Sequence, residues 1–219
     1  NSVGPLRGRY GGVRDFVIGM SLVQADGTQT KSGGSVVKNV AGYDMARLHI
    51  GALGTLGAIT TVAFKIGPVP QVMRTVVAWF DSAESAAVAG MRITNGPFMP
   101  EAVTLVAGKR AAARAGELAA QNSGTASDNA VMLLIALADG PATVERQLSD
   151  TAAMLGGVMA ERFVVLEDEA QYGVWSLAGE QSPAPTFSVR TTVKPTVAFG
   201  LVNALSNSEN ADDAHVVAQ

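Results

Sequence analysis

Cysteine is absent from all 219 residues. This removes disulfides, thiolate zinc sites, iron–sulfur ligation and cysteine nucleophiles in one step. Redox chemistry would then need a bound organic cofactor or a partner. Histidine is scarce as well: His49 and His215 stand far apart, which leaves metal sites and Ser-His triads little to work with, and no metal ligands are nominated. Charged residues make up 16% of the chain, the net charge is −3, and no basic cluster is interleaved with aromatics, which sets nucleic acid aside. No apolar run approaches the roughly 20 residues of a spanning helix, and no segment has the pattern of a signal peptide. The longest run, AVMLLIALA at 130–138, suits a buried strand. The chain opens at Asn1 in a Gly/Pro stretch, NSVGPLRGRYGG, which reads as a processed or truncated start.

What is present is a well-cored composition, 47% hydrophobic, with enough length for one large domain or two modest ones. FVIGMSLVQ (16–24) reads as a strand, ADGT (25–28) as a turn, and TKSGGSVVKN as a second strand weakened by its glycine pair. YDMARLHIGAL (43–53) reads as a short helix starting near Asp44, the candidate N-cap, and ended by Gly51 or Gly54. LGAITTVAFKI (56–66) is a β-branched strand, and GPVPQ (67–71) breaks it at a candidate domain boundary. Beyond the break come strands at 72–80, 101–108, 130–138 and 158–166, and helices at 82–95 (Ser82 as N-cap) and 141–157 (Pro141 near N1). Residues 109–129 start helical and end in a loop. The order β-α-β-β-α-β is the ferredoxin-like arrangement, expected as an antiparallel four-stranded sheet with two helices on one face. A helix at 168–179 with Tyr172 and Trp175, a strand at 186–193 and a helix at 194–207 follow, then a polar tail at 208–219 that should fray.

The chemistry-bearing candidate is GGSVVKNVAGYDMARLHIGALGTLGAIT (33–60), with Gly51, Gly54 and Gly57 at intervals of three. Backbone N–H groups in such a loop can hold phosphate oxygens, and glycine lets a ligand approach closely. The spacing is equally that of a close-packed turn. A Rossmann loop follows a strand and opens a helix, whereas this one precedes a strand, and no P-loop Lys-Ser/Thr accompanies it.

KNVAGYDMARLHIGALGTLGAITTVAFKIGPVP, together with the upstream GPLRGRYGGVRDFVIGMSLVQADGT, resembles the end of the FAD-binding domain of the PCMH-type (vanillyl-alcohol-oxidase) flavoprotein family, especially its glycolate oxidase E-subunit branch. The match covers about residues 3–70; the remainder matches only in layout. The resemblance implies an α+β chain: residues 1–70 as the C-terminal subdomain of a PCMH-type FAD-binding domain, residues 71–207 as a ferredoxin-like (βαββαβ) cap or substrate domain, and 208–219 as tail. It implies that the first Gly-rich subdomain lies outside this chain, an internal fragment that would be inactive alone.

By resemblance, Gly54, Gly57 and Ile59 lie along the FAD, Ile59 near the adenine, while Gly4, Arg9, Tyr10 and Gly11 pass its diphosphate and ribose. The common Ser of the motif is Ala52 here, and His49 falls in its variable part. No catalytic residue is implied. Asp44 reads as a helix cap and Tyr43 as packing; Lys38 and Asn39 are minority cofactor or partner contacts. Arg14 and Asp15 could pair locally. Tyr172, Trp175 and Arg190 are the residues of the second half suited to face a substrate.

The implied activity is FAD-dependent oxidation of a small 2-hydroxy acid such as glycolate. Electrons would leave to a sister flavoprotein subunit and an iron–sulfur subunit, in a cytoplasmic complex peripheral to the inner membrane through its partners. A non-catalytic FAD-binding assembly subunit, or a ferredoxin-like binding module without flavin, are the alternatives.

Overall fold

The computed structural model describes residues 4–36, 43–122, 125–128, 130–156, 163–178, 197, 200–202, 204 and 216–218. The expected strand at 186–193, most of the helix at 194–207, and Lys38, Asn39, Arg190 and His215 lie outside the described residues. The chain divides into two compact units, Asn1–Val69 and Pro70–Gln219.

In the first unit two one-turn helices, α1 (Arg7–Tyr10) and α2 (Val13–Phe16), precede β1 (Val17–Val23). Asp15 accepts from the Gly12 N–H (2.8 Å), satisfying an otherwise orphaned donor at the start of α2. Its role is therefore the cap of this turn. β1 is the centre of a three-stranded antiparallel sheet, between β2 (Gln29–Gly33) and β3 (Ala58–Phe64). The β1–β2 turn is the ADGT segment: the Thr28 N–H donates to the Asp26 carboxylate at 2.9 Å. Helix α3 (Ala46–His49) packs on β1. The core is small: Val17, Met20, Leu22 and Ala46, with Ile50 and Val62 against them.

Helix α3 is shorter than the 43–53 expected, and Asp44 does not cap it. Asp44 instead pairs with Arg47 at 2.6 Å, while the Ala46 N–H donates to Ser32 Oγ of β2 at 3.2 Å. The helix thus takes its N-terminal acceptor from a strand, and positive φ angles at Gly51, Leu53 and Gly54 end it early.

The second unit alternates β4 (Val72–Phe80), α4 (Ala83–Thr94), β5 (Ala102–Ala107), α5 (Lys109–Gln121), β6 (Val131–Asp139), α6 (Pro141–Gly156), β7 (Phe163–Leu166) and α7 (Asp168–Ala178); β8 (Val216–Ala218) pairs on the outside of β5. The order β7-β4-β6-β5 is all antiparallel and ferredoxin-like, as the alternation predicts. Ser82 caps α4, its hydroxyl accepting from the Ser85 N–H.

The two helices of the βαββαβ order, α4 and α6, share one face, as expected; the other face, which the alternation leaves unassigned, is covered as well. The core rows Val76, Ala78, Leu133 and Ile135 lie with α4, and the alternate rows Val77, Trp79, Met132 and Leu134 lie with α5 and α7. A strand covered on both sides has no polar face to alternate, so β6 is apolar almost throughout. Burying each of its Leu and Ile side chains contributes about 1.5–3 kcal/mol.

Helix α7 is tied to the sheet by a buried polar chain. Thr75, fully buried, donates to Gln171 Oε1 (2.9 Å) and accepts from Trp175 Nε1–H (2.9 Å). A Thr75→Val substitution keeps the shape and strands both partners. It should destabilise the protein by about 1–3 kcal/mol, read from the midpoint of urea unfolding; an unchanged midpoint would show that the chain does not fasten α7. At the Asp26 turn, the Thr28 backbone N–H and then its hydroxyl hold the Asp26 carboxyl below the ordinary aspartate range. A depressed folded-state pKa stabilises above the unfolded value and is lost as pH falls through the folded one. An NMR titration should therefore place Asp26 below a peptide aspartate, and Thr28→Pro, which removes the N–H, should raise it.

Candidate functional site

The loop between α3 and β3 carries the candidate glycines Gly54 and Gly57, and its geometry follows from the turn Ala52–Thr55. The Thr55 N–H and Thr55 Oγ1 both donate to the Ala52 carbonyl, at 3.0 and 2.7 Å. This closes a four-residue turn with Leu53 and Gly54 at its centre, both at positive φ (51° and 80°). Positive φ at both central positions marks the I′ turn class. Glycine accepts that conformation freely, whereas leucine is strained there by about 1–2 kcal/mol. The Leu53 side chain recovers none of this within the chain, being 95% exposed.

The candidate glycines separate on physical grounds. At Gly57 (φ 145°) a Cβ would sit 2.8 Å from the Val23 carbonyl oxygen, and at Gly11 (φ 84°) one would sit 2.6 Å from Asp15 Oδ2; packing alone requires glycine at both. At Gly54 a Cβ would meet nothing within 4 Å. Its backbone is open on the outer side, with Leu53, Leu56 and Ile59 exposed around it in sequence. An uncovered, largely apolar wall whose backbone can be approached closely is what a flat cofactor requires, so the residues present fit FAD. Gly54, Gly57 and Ile59 are brought together in one continuous loop and strand. Gly4, Arg9, Tyr10 and Gly11 occupy the turn ahead of β1, with Gly4 open and Arg9 and Tyr10 exposed.

The second-half candidates fare differently. Trp175 spends its N–H on Thr75 and packs with the core, which accounts for it without a substrate. Tyr172 is exposed on α7. Sequence reading missed Ser32, Leu53 and Thr55; a leucine between two glycines in GALG is the signal for Leu53, while the long-range Ser32 contact leaves none. Among the described residues no helix is long and apolar enough to cross a membrane.

The family model for the C-terminal domain of FAD linked oxidases matches residues 69–197, and the chain belongs to that family, whose cofactor is FAD. Glycolate oxidase subunit GlcD of Bacillus subtilis is 44% identical over 85 residues, 38% of this chain and 18% of that protein. Glycolate oxidase subunit GlcE of Escherichia coli is 46% identical over 68 residues, 31% of this chain and 19% of that one. The mitochondrial D-lactate dehydrogenase [cytochrome] of Arabidopsis thaliana is 39% identical over 84 residues, 38% of this chain and 15% of that one. The aligned segments thus span less than a fifth of these relatives' own lengths. Among solved structures, an alkyldihydroxyacetonephosphate synthase superposes with a TM-score of 0.63 at 16% identity, covering 81% of this chain and 34% of that one. p-Cresol methylhydroxylase with substrate bound gives 0.52 at 14%, covering 78% and 38%. These likenesses establish the fold.

The two glycines should respond unequally to alanine. Gly57→Ala forces backbone against backbone and should cost about 2–4 kcal/mol by thermal unfolding, whereas Gly54→Ala meets only its φ preference, about 1 kcal/mol. Equal losses would contradict the assignment of Gly57 to packing.

Proposed function

We propose that this chain is part of an FAD-linked oxidoreductase acting on a small 2-hydroxy acid such as glycolate, with residues 1–70 supplying one wall of the flavin site and residues 71–207 the cap or substrate domain. The observation that carries the reading is the open, strained Leu53–Gly54 turn, in a chain that belongs to the FAD linked oxidases and whose relatives are named for glycolate and D-lactate. When bound, FAD supplies the two-electron acceptor for the hydroxy acid.

The chain's own residues position and shield. The Gly54 backbone gives close approach, Gly57 locks the loop to β1, and Leu53 and Ile59 exclude water with hydrocarbon, Ile59 toward the adenine. Gly4, Arg9, Tyr10 and Gly11 would follow the diphosphate and ribose, the Arg9 guanidinium offsetting phosphate charge. Electrons would leave to a sister flavoprotein subunit and an iron–sulfur subunit, in a cytoplasmic assembly held at the inner membrane by its partners. The identity to a GlcE subunit favours a second reading, an FAD-binding subunit whose role is assembly and not turnover.

The test is the full-length protein containing this chain, desalted and examined by visible spectroscopy. Stoichiometric bound flavin that bleaches under anaerobic glycolate or D-lactate is the expected result. Flavin that no 2-hydroxy acid bleaches would leave the assembly reading, and the absence of flavin would overturn both.

A further inference from the structure

The Leu53–Gly54 turn is costly, and little in the chain rewards it: Leu53 buries almost nothing, and Gly54 faces open space. A strained turn of this kind persists only when something nearby over-determines it. Here Gly57, packed against the Val23 carbonyl, fixes the end of the loop, the Thr55 N–H closes the turn on the Ala52 carbonyl, and the Thr55 hydroxyl adds a second bond to the same oxygen. The N–H bond is available to any residue at 55. The hydroxyl bond, 2.7 Å, is specific to Thr or Ser.

We propose that Thr55 is a positioning residue of the flavin wall: its hydroxyl clamps the Ala52 carbonyl and holds the Leu53–Gly54 turn in the form that receives FAD. The proposal rests on the flavin reading above. In the uncovered chain Thr55 is exposed, so water competes for the Ala52 carbonyl and the hydroxyl bond contributes little to folding. A cofactor lying on the turn excludes that water and strengthens the same bond. The hydroxyl should therefore matter to FAD affinity and hardly at all to the stability of the cofactor-free protein, a combination that a purely structural threonine does not give.

The experiment uses the full-length protein stripped of flavin, as wild type, Thr55→Val and Thr55→Ser. FAD affinity is read by quenching of flavin fluorescence on reconstitution, and stability by thermal unfolding of the flavin-free forms. Thr55→Val should weaken FAD about threefold to tenfold, Thr55→Ser should stay within about twofold of wild type, and the three flavin-free midpoints should coincide. Wild-type affinity in Thr55→Val, or equal losses in the Val and Ser variants, would overturn the role of the hydroxyl. A drop of the flavin-free midpoint confined to Thr55→Val would assign Thr55 to folding and overturn the proposal likewise. A wild type that takes up no FAD has a different signature, since it overturns the flavin reading itself.

Discussion

The second unit depends on the pairing of β4 with β6, an unbroken register from Val72 opposite Asp139 to Phe80 opposite Val131. That ladder places two strands side by side at the middle of the sheet, so each presents a row of side chains to both faces. The six pairs from Thr75 opposite Ala136 to Phe80 opposite Val131 are buried on both strands, which makes the alternative, a sheet wet on one face, untenable. Everything else in the unit answers that requirement. Helices α4 and α6 cover one face, and α5 and α7 the other. α7 comes after the last ferredoxin-like strand and carries two polar groups, Gln171 and Trp175 Nε1, that meet the buried hydroxyl of Thr75. A buried hydroxyl costs stability unless partnered. Thr75 makes the second face specific for α7.

The first unit is built on the opposite economy. Four buried hydrophobic residues and their two neighbours hold three strands together, and β3 is exposed over most of its length. Its order comes from backbone approaches more than from hydrocarbon: Gly57 against the Val23 carbonyl, Asp15 folded back on Gly12, Ser32 taking the Ala46 N–H. Contacts of this kind fix positions within a few tenths of an ångström while leaving surface uncovered. Such a unit gains little from burial within the chain and presents a defined surface outward, which suits a wall better than a core.

The second unit was the more legible of the two in the residues, and the reason is periodicity. The strands at 72–80 and 130–138 and the helices at 82–95 and 141–157 lie within a residue or two of their sequence-derived bounds, because alternation and capping at Ser82 and Pro141 are local signals. The second covered face was not assigned, although AVMLLIALA announces it: a strand apolar at every position cannot have a polar side. In the first unit local signals mislead. Asp44 has the chemistry of an N-cap, yet its carboxylate goes to Arg47, and the Ala46 N–H is met by Ser32, fourteen residues before Ala46 on strand β2. No local pattern carries that. The flavin site proposed above comes from a motif legible in the residues, whereas which glycine serves packing and which leaves open space depends on Val23 and Asp15, which spacing alone does not bring together.

The contrast between Gly54 and Gly57 has a consequence for how such a loop works. Gly57 anchors the loop to β1 by a contact that admits no side chain, so the three residues before it have a fixed end to be strained against. Leu53 then bears two unfavourable terms at once, a left-handed backbone and hydrocarbon exposed to water. The second term weighs most when the turn is bare. An apolar, planar group laid on Leu53 and Gly54 removes the exposed hydrocarbon and, by excluding water, strengthens the hydrogen bonds that hold the backbone. The exposed hydrocarbon is thus a cost in the bare chain that becomes binding energy when the surface is covered, whereas the backbone strain, unchanged on binding, is met during folding. On the flavin reading, the loop needs no rearrangement to bind, because the ordering was completed during folding and β1 supplies the rigid support.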